Sequence, residues 1–436
     1  MKSRIGIPLL CLIVLIAPDR CLAQGETGLP FLLIPSSPEG SGMGNIIGSM
    51  ISDNPMATLA NPGQLGVLGL DHYFTGGFYP SATAWLPGFQ NSDFTYNASA
   101  FNAGFNLKRL ISLPFGLSAG FAYSHVSFVL GTFIITRDDP TPLGFFQAEE
   151  HTDNFSFGIG IDYHVRVGFG YTTKSVESKL APFDVQGQGR QGVAKVSTHD
   201  IGIVAQAPIL KIIGEAVGAP VTVFGSAEPL IDLSFGYSRR NLGDERVVYI
   251  DAAQADPLPR NATLGLNYTV GLNLRTPSAT WEVFSATLAR EADDILVQRL
   301  PSPRDSLGFI IGNPPPPQYV DGTGAIEFMN NVVLGKGNIH ATVHKGWQIN
   351  LGELIAIRGG SVRGRGVSYT TSGYGLRLSG LMKLLDAVSA SFSSSPVAVF
   401  VLSHFDVHFD HASSDYDDPY SLNDGVTYNG LSLVVR

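Results

Sequence analysis

The sequence predicts an all-β fold, an antiparallel transmembrane β-barrel of about 14 strands with an N-terminal plug or hatch and short helices on the periplasmic side. Three observations predict it: an export leader, a composition poor in charge but rich in glycine and aromatics, and strict side-chain alternation in segment after segment.

The leader comes first. Lys2 and Arg4 precede an apolar run from Ile5 to Ala17, and Cys21-Leu22-Ala23 closes on a small residue before Gln24, the pattern of a cleaved Sec signal peptide over residues 1–23. Pro18, Asp19 and Arg20 interrupt the run, which leaves it shorter than the roughly 20 residues of a membrane-spanning helix. Cys11 and Cys21, the 2 cysteines of the chain, both lie in this leader. A mature chain without them has no disulfide, thiolate metal site or cysteine nucleophile. Loss of Lys2, Arg4, Arg20 and Asp19 takes the formal charge from −9 to −11, which argues against a nucleic-acid partner.

Charged residues are 15% of the chain against roughly 25% in a soluble protein. Hydrophobic residues reach only 44%, and no second stretch has the length of a spanning helix. The 50 glycines, 26 phenylalanines and 15 tyrosines point instead to strands, tight turns and an aromatic surface.

Alternation carries the most weight, because a strand sends successive side chains to opposite faces and a barrel wall needs one face for lipid and one for the lumen. From Leu113, residues Phe115, Leu117, Ala119, Phe121 and Tyr123 alternate with small or polar neighbours. Phe155 to Tyr163 and Val165 to Tyr171 continue one parity, which a hairpin turn at Tyr163 to Val165 allows. Ile231 to Tyr237 and Leu264 to Leu274 repeat the pattern. Weaker runs lie at 71–85, 94–108, 196–207, 280–290, 327–343, 348–362, 368–380, 397–410 and 426–436. With the N-terminus in the periplasm, the segments 129–152, 180–195, 241–260, 291–326 and 411–425 are expected as long extracellular connections. Pro314 to Pro317 cannot pair in a sheet and belongs to one of them. Pro208 to Pro229 and Leu381 to Pro396 carry helical spacing and are expected as short amphipathic periplasmic helices.

Ahead of the first strand, residues 24–70 form a Gly-, Ser- and Met-rich segment expected to fold back into the lumen, with the barrel occupying 71–436. Gly42-Met43-Gly44, Asp53-Asn54-Pro55-Met56-Ala57-Thr58 and Asn61-Pro62-Gly63-Gln64-Leu65 resemble the N-terminal signature of the FadL superfamily, within it the PorV/PorQ-like outer-membrane proteins. Here Gly63-Gln64 replaces the usual Ala-Gly. Tyr237 to Gly243, Pro257-Leu258-Pro259, Ile355 to Gly360 and Gly373 to Leu376 are similar to later parts of those proteins. The resemblance implies a fourteen-stranded barrel with a hatch (Gly42, Met43, Gly44, Asp53, Asn61, Pro62, Gly63) in the bacterial outer membrane. It implies either a part in exporting secreted proteins with type IX secretion-machinery subunits, or uptake of long-chain fatty acids or other hydrophobic small molecules. No cofactor is expected, and outer-membrane lipid is a partner in either case.

Gly116-Leu117-Ser118-Ala119-Gly120 matches the serine-hydrolase elbow, which requires a strand-to-helix turn, whereas these residues read as mid-strand. A membrane-embedded lipid hydrolase using Ser118 with His125 or His404 is the rival from another class. Gly187-Gln188-Gly189-Arg190-Gln191-Gly192 has the dinucleotide spacing without the strand and helix that would flank it, and reads as a surface loop. His404, Asp406, His408 and Asp410 share one strand face. Zinc would suit them chemically, but same-face positions roughly 6.6 to 6.8 Å apart let at most two share an ion, so they read as a polar lumen wall. Asp415, Asp417 and Asp418 read as a solvated extracellular loop.

Overall fold

In the computed structural model the described residues are 27–436 apart from 72, 89–92, 110–112, 137–140, 185–190, 224–226, 251–254, 276–278, 299–316, 390–393 and 419. The expected leader, most of the Gly187 loop and Pro314 to Pro316 therefore lie outside them.

Fourteen antiparallel strands close into one barrel. They are β1 (Phe74–Phe78), β2 (Phe94–Asn106), β3 (Gly116–Thr136), β4 (Pro142–Tyr163), β5 (Val165–Asp184), β6 (Gln191–Pro208), β7 (Ala227–Leu242), β8 (Asn261–Arg275), β9 (Thr280–Ile295), β10 (Ala341–Leu351), β11 (Ile355–Gly364), β12 (Val367–Arg377), β13 (Phe405–Tyr416) and β14 (Thr427–Val435). Each pairs with its neighbours in sequence, and β1 closes the ring by pairing with both β2 and β14. We call the end where β1 starts and β14 finishes the base, and the opposite end the rim. Among the described residues no helix is long and apolar enough to cross a membrane.

The alternation read from the sequence becomes the two faces of this wall. On β4, Phe155, Phe157, Ile159 and Ile161 stand exposed on the outside while Asn154 and Ser156 are buried inside. Tyr163 pairs with Val165 across His164, whose φ of 63° makes the tight reversal. Every base connection is short except two, which carry α4 (Ile209–Val217) and then α5 (Leu378–Val388) with α6 (Pro396–His404).

Four expectations need correction. The run at 397–410 is strand only from Phe405, because Ser395 caps a helix with Pro396 in its first turn, a combination that favours helix initiation. The run at 327–343 yields a strand only from Ala341, and Phe328–Val333 is a helical turn of π type. The run at 71–85 yields just Phe74–Phe78 and the two-residue pair Thr83–Ala84. Much of 129–152 and 180–195 is strand, not loop: β3, β4 and β5 run for 21, 22 and 20 residues. These exceed the roughly 9–11 residues that a strand needs to cross a bilayer.

Candidate functional site in the barrel lumen

The lumen is filled by the chain's own N-terminal segment. From Leu29 to Leu70 most residues are buried, in a path with the short helices α1 (Pro38–Ser41), α2 (Ala57–Ala60) and α3 (Gln64–Asp71). What lets this segment fit is glycine in the wall. Gly104, Gly120, Gly158, Gly170 and Gly202 sit directly opposite one another on β2 to β6. Gly236 faces Gly265, and Gly346 faces Gly360. A Cβ at Gly158 would lie 2.8 Å from the Gly66 nitrogen, and one at Gly373 would lie 3.1 Å from the Gly42 Cα. At Gly170, Gly236, Gly346 and Gly360 it would overlap the backbone of Pro62, Gly48, Met43 and Gly44 respectively. This belt of missing side chains is a groove around the inner wall, and the hatch backbone lies in it. Glycine is used here for close approach of two backbones rather than for turns.

Polar side chains then fasten what the groove seats. Asn61 is fully buried and its Nδ2 lies 2.7 Å from the Gly48 carbonyl, 3.0 Å from that of Ile203 on β6 and 3.2 Å from that of Tyr237 on β7. It can stand there only because Gly202 has no side chain. Pro62 continues against Gly170, and Gly63 approaches β5 and β6 so closely that a Cβ would sit 2.9 Å from the Gly168 carbonyl oxygen. Glycine at position 63 therefore has a steric reason. Gln64 donates through Nε2 to the Ile47 and Met50 carbonyls at 3.2 and 2.5 Å. Met43 is buried with Ile46, Met50 and Ala289. Gly44, at φ 74°, donates to Thr371 at 2.8 Å while its carbonyl oxygen lies 2.7 Å from Nδ1 of His344.

Charges complete the fastening. Arg358 has a fully buried side chain and donates to Gln348 at 2.6 Å, to Asp410 at 2.5 Å and to the hatch residue Glu39 at 3.3 Å. Ser52 donates to the other Glu39 oxygen at 2.5 Å. Asp53 faces Arg377, His408 and Arg436 at 3.6 to 3.8 Å. On the opposite side, Glu291 accepts from the Ser49 backbone and hydroxyl at 3.0 and 2.8 Å. A segment held against wall arginines by the buried Glu39 carboxylate and the partly exposed Asp53 is an electrostatic latch, since a buried charge that loses its partner is costly.

The sequence placed Asp406, His408 and Asp410 on the lumen face, and all three are buried on the inner side of β13. His404 does not join them: it ends α6 and stacks on Phe400 at 4.5 Å. Nε2 of His408 is 2.8 Å from Asp406, which also accepts from Ser379 at 2.5 and 2.8 Å. Among the described residues no group of three His, Cys, Asp or Glu side chains is arranged to hold a metal. Asp415 lies on β13, Asp417 accepts from Ser368, and Asp418 accepts from the Tyr420 backbone at 3.0 Å. Ser118 sits inside β3 with its hydroxyl donated to the Gly66 carbonyl at 2.5 Å. His125, seven positions on, has the outward parity and meets Asp153 on the outer face at 2.9 Å.

The hatch divides the lumen. On the rim side lies a cavity of about 490 Å³, within the range of small-molecule sites. Hatch residues Asn45, Ile47, Met56, Leu59 and Ala60 form its floor, and Phe31, Ile34, Trp85 and Phe128 contribute apolar walls. Arg240 reaches the same space from β7, with Asn261 as hydrogen-bond partner at 3.3 Å and its Nε without one. On the base side a smaller space of about 250 Å³ is lined mostly by polar groups, among them Asp53, Gln206, Asp232, Asn267 and Arg377. The glycine belt, Arg240 and the fastening carboxylates Glu39 and Glu291 escaped the sequence reading. A recurrence of Gly at the inward parity of successive strands was the signal available for the belt.

Fold and lumen together define a closed fourteen-stranded barrel whose interior holds the chain's own residues 29–70, with a cavity on each side of them. No family model matches the chain, and no curated protein matches it. Among solved structures it is similar to the CymD monoaromatic hydrocarbon channel, with 9% identity and a TM-score of 0.37 over 92% of this chain and 97% of that one. It is similar to the P. putida toluene transporter TodX at 9% identity and TM-score 0.33, over 91% and 95% of the two chains. CdiB from Acinetobacter baumannii follows at 12% identity and TM-score 0.31, over 83% of this chain and 60% of that one.

Proposed function

We propose that the chain is a non-enzymatic outer-membrane channel that admits an apolar or amphipathic small molecule, such as a long-chain fatty acid, to the chamber above its hatch, residues 24–70. The rim-side cavity carries this reading. It is floored by Ile47, Met56 and Leu59 and walled by further apolar side chains, which suits a hydrocarbon body. Arg240 stands in it with an incompletely satisfied guanidinium, which suits an anionic head. Membrane residence is supported by the exposed apolar outer face, and passage by the latch, whose release would join the two chambers. A non-enzymatic role is supported by Ser118 and His125 pointing to opposite sides of the wall and by the strand, not elbow, conformation around Ser118.

Trp85 lines the cavity, and this offers a direct test. In a variant with Trp281→Phe and Trp347→Phe, titration with a brominated fatty acid is expected to quench the remaining tryptophan saturably. Arg240→Gln should weaken that binding about tenfold or more, the usual worth of a hydrogen bond to a charged group. Absence of saturable quenching would sink the proposal. The export reading keeps the resemblance to PorV/PorQ-like proteins as its support. A deletion strain separates the two readings: secreted proteins stranded in the periplasm favour export, and loss of growth on fatty acids favours uptake.

A further inference from the structure

The outer wall over β8 to β10 differs from the rest of the barrel. Ala262, Ala292 and Val343 have outward parity, since their neighbours Thr263, Glu291 and His344 face the lumen. Yet all three are almost completely buried. The rim connection after Gln318 covers them by folding down the outside of the barrel instead of over its mouth: Ile326 and Val332 pack against these three residues together with Leu296 and Ala341. Asp294, also outward, accepts the Ala325 backbone at 2.7 Å and anchors the descent. The opposite face of the segment stays bare, with Phe328, Met329, Val333 and Leu334 exposed, Met329 at 61%.

Beside this apolar foot stand three cations. Arg290 pairs in register with Lys345, one step toward the rim from Leu288 and Trp347, and Arg363 lies outward on the next strand opposite Val343. Gly335 turns against the Lys345 stem and Gly337 against the Arg363 backbone. The charges of Arg290 and Arg363 act on Lys345, and among the described residues none of the three makes an ion pair. Outward lysines on β5 and β6 are answered: Lys179 meets Glu149 at 2.9 Å and Lys195 meets Glu177 at 3.1 Å. Three like charges held together repel one another. Leu288, Trp347 and Ile357, just toward the base, are exposed apolar side chains, so the cations sit where an apolar belt ends, the height of lipid phosphates.

We propose that Arg290, Lys345 and Arg363, with the exposed foot at Phe328 to Leu334, bind a phosphate-bearing lipid of the outer leaflet. The inference rests on the membrane reading above. The three cations face its phosphates, the foot enters the acyl region beside them, and a chain acidic overall gains one basic landing on its outer surface.

The test uses the full mature chain in detergent, with bisphosphorylated lipid A as probe and native mass spectrometry as readout. Wild type is expected to retain the lipid, and R290Q/K345Q/R363Q to lose about fivefold in affinity per cation, roughly a hundredfold together. Met329→Ser with Leu334→Ser should weaken lipid retention as well. Equal retention of lipid A stripped of its phosphates would overturn the proposal, as would an unchanged triple variant. Displacement by inorganic phosphate would make the patch a free-anion site, and a change of oligomeric state without loss of lipid would assign it to a second copy; either overturns it. Gel mobility before and after boiling reports whether each variant forms a barrel, and R290Q alone serves if the triple variant does not. A wild-type chain with no such shift defeats the membrane reading instead.

Discussion

At the scale of single residues, the lumen is governed by what wall positions lack as much as by what they carry. Gly236 leaves no room for a methyl group beside Gly48 and Ser49. Gly236→Ala is expected to cost about 1–3 kcal/mol of overpacking, felt by the hatch and not by the sheet. Limited proteolysis should then cut within residues 40–60 while the barrel's gel mobility stays unchanged; equal resistance to protease would contradict the belt. Arg358 is the converse case, a buried cation between Asp410 and Glu39. Arg358→Met should destabilise by about 3–5 kcal/mol, because Asp410 loses its cation and Glu39 keeps only Arg377 at 3.5 Å. Adding Glu39→Gln and Asp410→Asn should recover most of the urea midpoint.

At the scale of elements, helix α3 rests on β3 and β4 through Ser118 and the close approach of Gly66 to Gly160. Ser118→Ala should remove about 1 kcal/mol of that seating and leave any lipase background unchanged; a fall in lipase activity would revive the hydrolase reading. The elements misread from the sequence share one cause. Residues 327–343 and 397–404 are apolar enough for strands, and alternation cannot tell a lipid-facing strand from a segment whose apolar side chains cover another surface. At 397–404 local chemistry did hold the answer, since Ser395-Pro396 caps a helix. At 328–333 it did not: the segment has its shape because Ala262, Ala292 and Val343 need cover.

For the whole molecule, a closed wall with a seated hatch predicts a shut pore. In planar bilayers the intact mature chain should pass almost no ion current, whereas removal of residues 27–71 should leave a large stable conductance. Neutralising the latch with Glu39→Gln and Asp53→Asn is expected to give intermittent openings. A conducting wild type would show that the hatch does not seal the lumen.

Alternation and turn chemistry act between neighbours in sequence, so the sequence by itself determined the all-β class, the near count of strands and which side chains face outward. Asp406, His408 and Asp410 share one buried face of β13 by the same periodicity. Tertiary structure alone decided that the glycines of successive strands line up into one groove, that Glu39 meets Arg358 across 319 positions of chain, and that a rim connection descends the outer wall. Those outcomes depend on strand register and on the path of a distant segment, and neither leaves a periodic trace in the residues that come to touch.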